Sequence, residues 1–222
     1  MEQQQPTAQF PRDIYTEPEP DPNTLANLGP LRAMAGIWEG ARGADVKPVA
    51  TGTKTQAYIE RYELHPIDAQ TNGPQALYGL RYHTFIHKPG FTKTYHDQVG
   101  YWLWEPATST VYHTLAIPRG QVAMASGKVA ADATQFELVS ERGSLTNGIV
   151  SNPFIEHAFT TLAWRIAVTL NADGSWSYFQ TTVLQIEGRD QPFDHTDRNT
   201  LVKVGEPALN PKALAKQQGG SA

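Results

Sequence analysis

Apolar and polar residues alternate with a period of two through most of the chain. Ten such runs, bounded by turn residues, predict strands over about 36–43, 53–65, 75–87, 93–105, 110–118, 120–129, 134–141, 158–170, 175–187 and 196–204. In the eighth, Leu162, Trp164, Ile166, Val168 and Leu170 share one face, and Thr161, Ala163, Arg165, Ala167 and Thr169 share the other. In the ninth, Trp176, Tyr178, Leu184 and Ile186 share a face with Gln180 and Thr182. Links such as Asn171-Ala172-Asp173-Gly174 and Pro118-Arg119-Gly120 are short, so successive strands are antiparallel neighbours. Ten sequential antiparallel strands leave exposed edges, and closure removes them. The pattern therefore predicts an all-β fold, a ten-stranded antiparallel up-and-down barrel. A two-sheet sandwich is the competing all-β arrangement.

The first strand opens with Gly36-Ile37-Trp38-Glu39-Gly40-Ala41-Arg42-Gly43. A barrel's closed end must be plugged, and a Trp is the largest plug available. The flanking glycines let the strand bend and let other groups come close. Before it, Asn23-Thr24 predicts a short N-terminal helix running towards Ala35 and interrupted at Gly29-Pro30. Gln70 to Pro74 reads as a loop. Leu145 to Glu156, with Asn147-Gly148 and Asn152-Pro153, reads as a longer non-strand segment able to cover the barrel mouth. Residues 1–23 are Gln- and Pro-rich, and 206–222 are polar with a weak helical stretch over Pro211 to Gln217. Both are expected to be flexible tails that add little to the core, around a barrel domain at 24–205.

Composition narrows the function. The formal charge is −4 with no long basic run, which argues against nucleic acid. The absence of Cys excludes disulfides, Cys-type zinc sites, Fe–S clusters and thiolate haem ligation, and fits a cytoplasmic protein. No stretch has the apolar length of a membrane span, and the N-terminus does not read as a signal peptide. With 5 Trp, 9 Tyr and 8 Phe, an internal pocket for a small molecule would be rich in aromatic groups.

The candidate chemistry lies in seven histidines: His65, His83, His87, His96, His113, His157 and His195. His83 and His87 read as a surface pair with Arg81, and His65 and His157 as turn residues. The face of His113 is not fixed by the pattern. His96 shares a face with Gln98, Gly100 and Trp102, and the glycine there implies a bulky neighbour. His195 opens the last strand beside Asp194 and Asp197, either of which is expected to orient its ring. Neither a nucleophile elbow nor a phosphate loop is present, so no catalytic residue is assigned. The residues alone reach an all-β barrel with an internal pocket.

Four pieces, in order, resemble the nitrobindin family: Leu28-Gly29-Pro30-Leu31 before Gly36-Ile37-Trp38-Glu39-Gly40; His96-Asp97-Gln98-Val99-Gly100-Tyr101-Trp102; Ala116-Ile117-Pro118-Arg119-Gly120-Gln121-Val122; and the strand from His195. The resemblance spans roughly residues 27 to 204 and implies a barrel akin to fatty-acid-binding proteins and lipocalins, holding one b-type haem. It implies that His195 binds the iron through Nε2 and that His96 lies beside the cofactor. It further implies nitric oxide binding and isomerisation of peroxynitrite to nitrate, with small molecules as partners and the oligomeric state, a homodimer included, left open. Two departures stand out. Arg42 occupies the place of the third motif glycine, with Gly43 following. Leu201 comes about one residue late after His195: a one-residue slip would turn His195 away from the cavity, and a bulge at Thr196 or Asp197 would absorb it. The alternatives are a haem-free intracellular carrier of an apolar ligand, and a non-haem metal site built from some of His83, His87, His96 and His113.

Overall fold

The computed structural model describes residues 10–219. Two 3-10 helices, Thr24–Asn27 and Gly29–Met34, precede β1 (Gly36–Val49), β2 (Gly52–Pro66), β3 (Gln70–Asn72), β4 (Gln75–His87), β5 (Thr94–Glu105), β6 (Thr110–Ile117), β7 (Gln121–Lys128), β8 (Gln135–Glu141), β9 (Ile149–Ser151), helix α1 (Pro153–Ala158), β10 (Phe159–Leu170), β11 (Trp176–Ile186), β12 (Phe193–Gly205) and helix α2 (Pro211–Gln217). Asn23 caps the first 3-10 helix by accepting from the Ala26 amide.

All strand pairs are antiparallel. The path β4-β5-β6-β7-β8-β10-β11-β12-β1-β2 closes through β2 pairing with β4, giving a ten-stranded barrel. The ten strands expected from the alternation are these ten. The sandwich is excluded because closure leaves no free edge between two sheets. The short β3 adds to β4 where a loop was expected, and β9 pairs with β7.

The closed end is apolar. Trp38 is 1% exposed, donates from Nε1 to the Met34 carbonyl at 2.8 Å and meets Trp176 edge to face. Leu28, Leu31 and Met34 of the 3-10 segment complete the floor with Leu64, Leu80 and Leu201, all fully buried. Full burial of each such aliphatic side chain contributes about 1.5–3 kcal/mol, which fixes this end as a solid plug rather than an opening.

The extra residue is taken up in β1. Against β12 the register slips between Glu39 and Ala44, and against β2 between Gly40 and Gly43. The β11–β12 ladder runs without interruption from Trp176↔Leu201 to Leu184↔Phe193, so there is no bulge at Thr196 or Asp197, and the slip does not turn His195 away. Gly43 rather than residue 42 supplies the close approach: a Cβ there would lie 2.1 Å from the Tyr58 ring. A second irregularity, between Thr161 and Ala163, turns Thr161 inward and leaves Leu162 only partly buried, against the strict alternation expected for β10.

The chain outside the expected 24–205 domain also makes contacts. Asn210 is fully buried and donates to the Pro22 carbonyl (2.8 Å) and to Asp68 Oδ1 (2.6 Å), and the Lys212 amide donates to the same Asp68 oxygen at 3.0 Å. Ala213 of α2 is buried. The expectation that residues 206–222 add little to the core is therefore corrected for Asn210 and Ala213. Residues 1–9 and 220–222 of the expected tails lie outside the described residues.

Candidate functional site

Opposite the plug, the barrel opens into a cavity of about 550 Å³. That lies within the roughly 300–1,000 Å³ typical of small-molecule and cofactor pockets. One wall is apolar and aromatic, from Ile86, Leu115, Ile117, Trp164 and Leu184. The segment expected over the mouth lies at the rim: Ile149 of β9, Asn152, and Phe154 and Ile155 of α1 line the cavity. Asn152 caps α1 by accepting from the Phe154 and Ile155 amides at 2.9 and 3.0 Å.

A polar part of the lining centres on His195. Because β12 pairs with β11 without a bulge, His195, Asp197, Asn199 and Leu201 all face inward. Asp194 points out and is exposed, so it does not orient the ring as expected. Asp45, on the neighbouring β1 and 5% exposed, does so instead: its Oδ1 lies 2.8 Å from His195 Nε2. Asp197 Oδ2 is 3.7 Å from the same nitrogen and accepts from Gln180 Nε2 at 3.1 Å. Lys47 Nζ sits 3.3 Å from the other oxygen of Asp45. Donor atoms of Asp45, His195 and Asp197 lie within 4.8 Å of one another, close enough that the three could share a metal ion.

The charges follow. Burial disfavours ionisation of Asp45, but His195 and Lys47 outweigh it and hold its carboxyl below the usual range. Burial also disfavours the imidazolium of His195, yet the bond to Asp45 and the charges of Asp197 and Asp45 raise its pKa. Asp197 is pushed up by burial and by the charge of Asp45. His96 lines the cavity, with Nε2 3.3 Å from Gln98 Oε1, and burial and the Arg119 guanidinium lower its pKa, favouring the neutral ring. The bulky neighbour expected at Gly100 is β6 itself: a Cβ there would lie 2.0 Å from the Thr114 carbonyl oxygen.

Two interior groups, Asp45 and Glu60, have no counterpart in the sequence reading, and a third, His113, had its face left open there. Asp45 was hidden because its partner is 150 residues away. Glu60 is buried beside Asn199, its carboxyl accepting from Tyr178 (2.7 Å), Asn199 (3.0 Å) and Thr84 (3.0 Å), and burial raises its pKa. His113 is buried and stacked on Trp102, with ring centroids 3.8 Å apart. The structure does not bring His83, His87, His96 and His113 together: His83 pairs with Asp97 on the outer wall, and neither it nor His87 lines the cavity.

The sequence of residues 27–203 matches the model of the THAP4-like, heme-binding beta-barrel domain. The chain belongs to this family. It is the nitrobindin family that the motifs resemble, and its domain is haem-binding. Among solved structures, the crystal structure of Rv2717c from M. tuberculosis is similar, with a TM-score of 0.56 and 23% identity over 82% of this chain and 97% of that one. At that identity the likeness concerns the fold. No curated protein matches the sequence. No helix among the described residues is long and apolar enough to cross a membrane.

Proposed function

We propose that this nitrobindin-family barrel binds one b-type haem in its cavity, with His195 as the iron ligand and His96 beside the cofactor. The same proposal includes binding of nitric oxide, isomerisation of peroxynitrite to nitrate, and a cytoplasmic setting. The observation that carries it is His195 on the last strand, lining the cavity with one ring nitrogen unengaged by the described residues. Only Nε2 is engaged. Nδ1 makes no hydrogen bond to the described residues and is not among the buried atoms left without a partner.

The residues present fit haem. The cavity has an apolar and aromatic lining for a porphyrin face, and Arg119 on it is a cation suited to a propionate. A carboxylate behind a ligating imidazole is the usual support for such a ligand. Bound haem supplies an iron with one open position for nitric oxide or peroxynitrite. The chain's own part is to hold the iron through one imidazole, to keep water from the apolar face, and to set a neutral His96 near the ligand. His96 is not a second strong ligand in this reading, because that would close the iron to both small molecules.

Titration with hemin tests the reading. A saturable Soret change is expected for the wild type and its loss for His195→Ala, with the β circular-dichroism spectrum kept in both. His96→Ala is expected to keep haem while altering peroxynitrite decay. If the wild type shows no saturable change, the haem reading fails. A carrier of an apolar ligand would then stand, a reading favoured by the pairing of Asp45 with His195 and Lys47, which satisfies the polar wall without a metal.

A further inference from the structure

We propose that one side of the barrel mouth is a docking surface for an anionic bilayer: the exposed Phe91 and Phe154 enter the lipid interface, and Lys88, Lys93 and Arg119 meet acidic headgroups. The contact sets the open end of the cavity against the membrane. It needs no membrane-spanning segment, and it does not depend on which ligand the cavity takes.

Three neighbouring segments build the surface. The turn between β4 and β5 runs Lys88-Pro89-Gly90-Phe91-Thr92-Lys93. It closes with the Phe91 amide donating to the Lys88 carbonyl at 3.0 Å and leaves Phe91 65% exposed. The β6–β7 turn is tied to the start of β5, because the Arg119 guanidinium donates to the Tyr95 carbonyl. Helix α1 is tied to the β6–β7 turn, with the Asn152 amide donating to the Gly120 carbonyl at 2.8 Å. It carries Phe154, which is 68% exposed. Next to the rim, Val122 and Val150 face each other across the β7–β9 pair, and both are exposed. Exposed apolar groups gathered at one place mark a contact surface. Aromatic rings beside Lys and Arg are suited to a lipid interface, where the rings sit at headgroup level and the charged ends stay in water. Phe154 also lines the cavity, as does the exposed Phe159, so apolar surface continues from the rim inward.

Local charge selects an anionic surface. The whole chain carries −4, but neither Lys88, Lys93 nor Arg119 forms an ion pair with a described residue. Carboxylates at the mouth are committed or distant. Glu156 is paired with Arg142, and Glu187 and Asp190 belong to the β11–β12 turn, across the barrel from β5 and β6. Phe10 and Tyr15 are exposed too, but they lie beside Asp13, Glu17 and Glu19, which such a surface repels.

Co-sedimentation of the full, ligand-free chain with vesicles tests the proposal. At low salt the wild type should pellet with vesicles of phosphatidylcholine and phosphatidylserine, stay in solution with phosphatidylcholine alone, and be released as salt is raised. The double variant Lys88→Glu, Lys93→Glu should bind about 30-fold more weakly or worse, at about 1 kcal/mol per lysine. Phe91→Ser should lose about tenfold. All three positions lie on an exposed turn, so the circular-dichroism spectrum should be kept. Tyr15→Ser, at the other exposed aromatic segment, should bind like the wild type. A wild type that stays in solution with the phosphatidylserine vesicles overturns the proposal and leaves the rim to an acidic protein partner. Binding that is indifferent to phosphatidylserine also overturns it, as does binding that both the lysine and the Phe91 variants retain. No hemin is present in these experiments, so their failure is separate from a failure of the haem reading.

Discussion

At the scale of single residues, the interior histidines show how one side chain takes opposite states in one barrel. His195 is drawn towards its charged form by Asp45 and Asp197. His113 has no such partner. It is 1% exposed, neither ring nitrogen has a hydrogen bond to the described residues, and burial pushes its pKa down to about 3. Its folded value is below the unfolded one, so the unfolded chain binds the proton that the fold refuses. Stability is therefore full above about pH 6.5 and falls by about 1.4 kcal/mol per pH unit as pH drops towards 3. Phe in its place would keep the stack on Trp102 and remove both unpaired nitrogens. His113→Phe is expected to gain about 2 kcal/mol more over the wild type at pH 5 than at pH 8, read from denaturant melts. An equal gain at both pH values would mean that His113 is not a buried neutral base. The pattern could not reveal this residue: period two places His113 with Val111 and Leu115, but says nothing of which face turns inward.

At the scale of elements, the strands were legible because alternation and turn residues are local signals, and all ten barrel strands match predicted runs. The bulge was legible only as an offset. A late Leu201 says that two strands are out of step by one, and either strand of a pair can absorb the slip. β1 does so because Gly40 and Gly43 let Asn199 and Tyr58 fill the space that side chains would take. That choice leaves β12 regular from Phe193 to Leu201 and His195 facing in. A test follows at Gly43, where a Cβ would meet the Tyr58 ring, while the Tyr58 hydroxyl is bonded to Tyr178 (2.8 Å) and the Arg198 carbonyl (3.1 Å). Gly43→Ala should cost about 1–3 kcal/mol by overpacking. The added cost should largely vanish in a Tyr58→Ala background, which removes the obstacle. If the cost is the same in both backgrounds, the Gly43–Tyr58 contact does not explain the glycine.

At the scale of the whole molecule, the functional wall and the closing seam are built from residues far apart in sequence, and this is why the site was legible only in part. His195 and His96 stand on recognisable strands. Asp45 acquires its role only when β12 closes against β1, a pairing that no local pattern encodes. The same holds for the chain ends. Asn210 looks like any polar tail residue until the fold sets it between Pro22 and Asp68, while the Ala208 amide donates to His65 Nδ1 at 3.0 Å. These bonds link the segment after β12 to the chain before β1, to β2 and to the loop after it, and none of the residues involved lines the cavity. Deleting residues 207–222 removes about three or four hydrogen bonds, near 1 kcal/mol each, and leaves Asp68 without its partners. For a chain of this size that loss should lower the thermal midpoint by on the order of 10 °C. Asn210→Ala alone should reproduce part of the fall. Hemin affinity, measured well below both midpoints, should stay at the wild-type value, because the Asp45–His195 wall is untouched. An unchanged midpoint would return residues 207–222 to the role of a tail. A lower midpoint with weakened hemin binding would mean instead that the closed end and the cavity are coupled through the barrel.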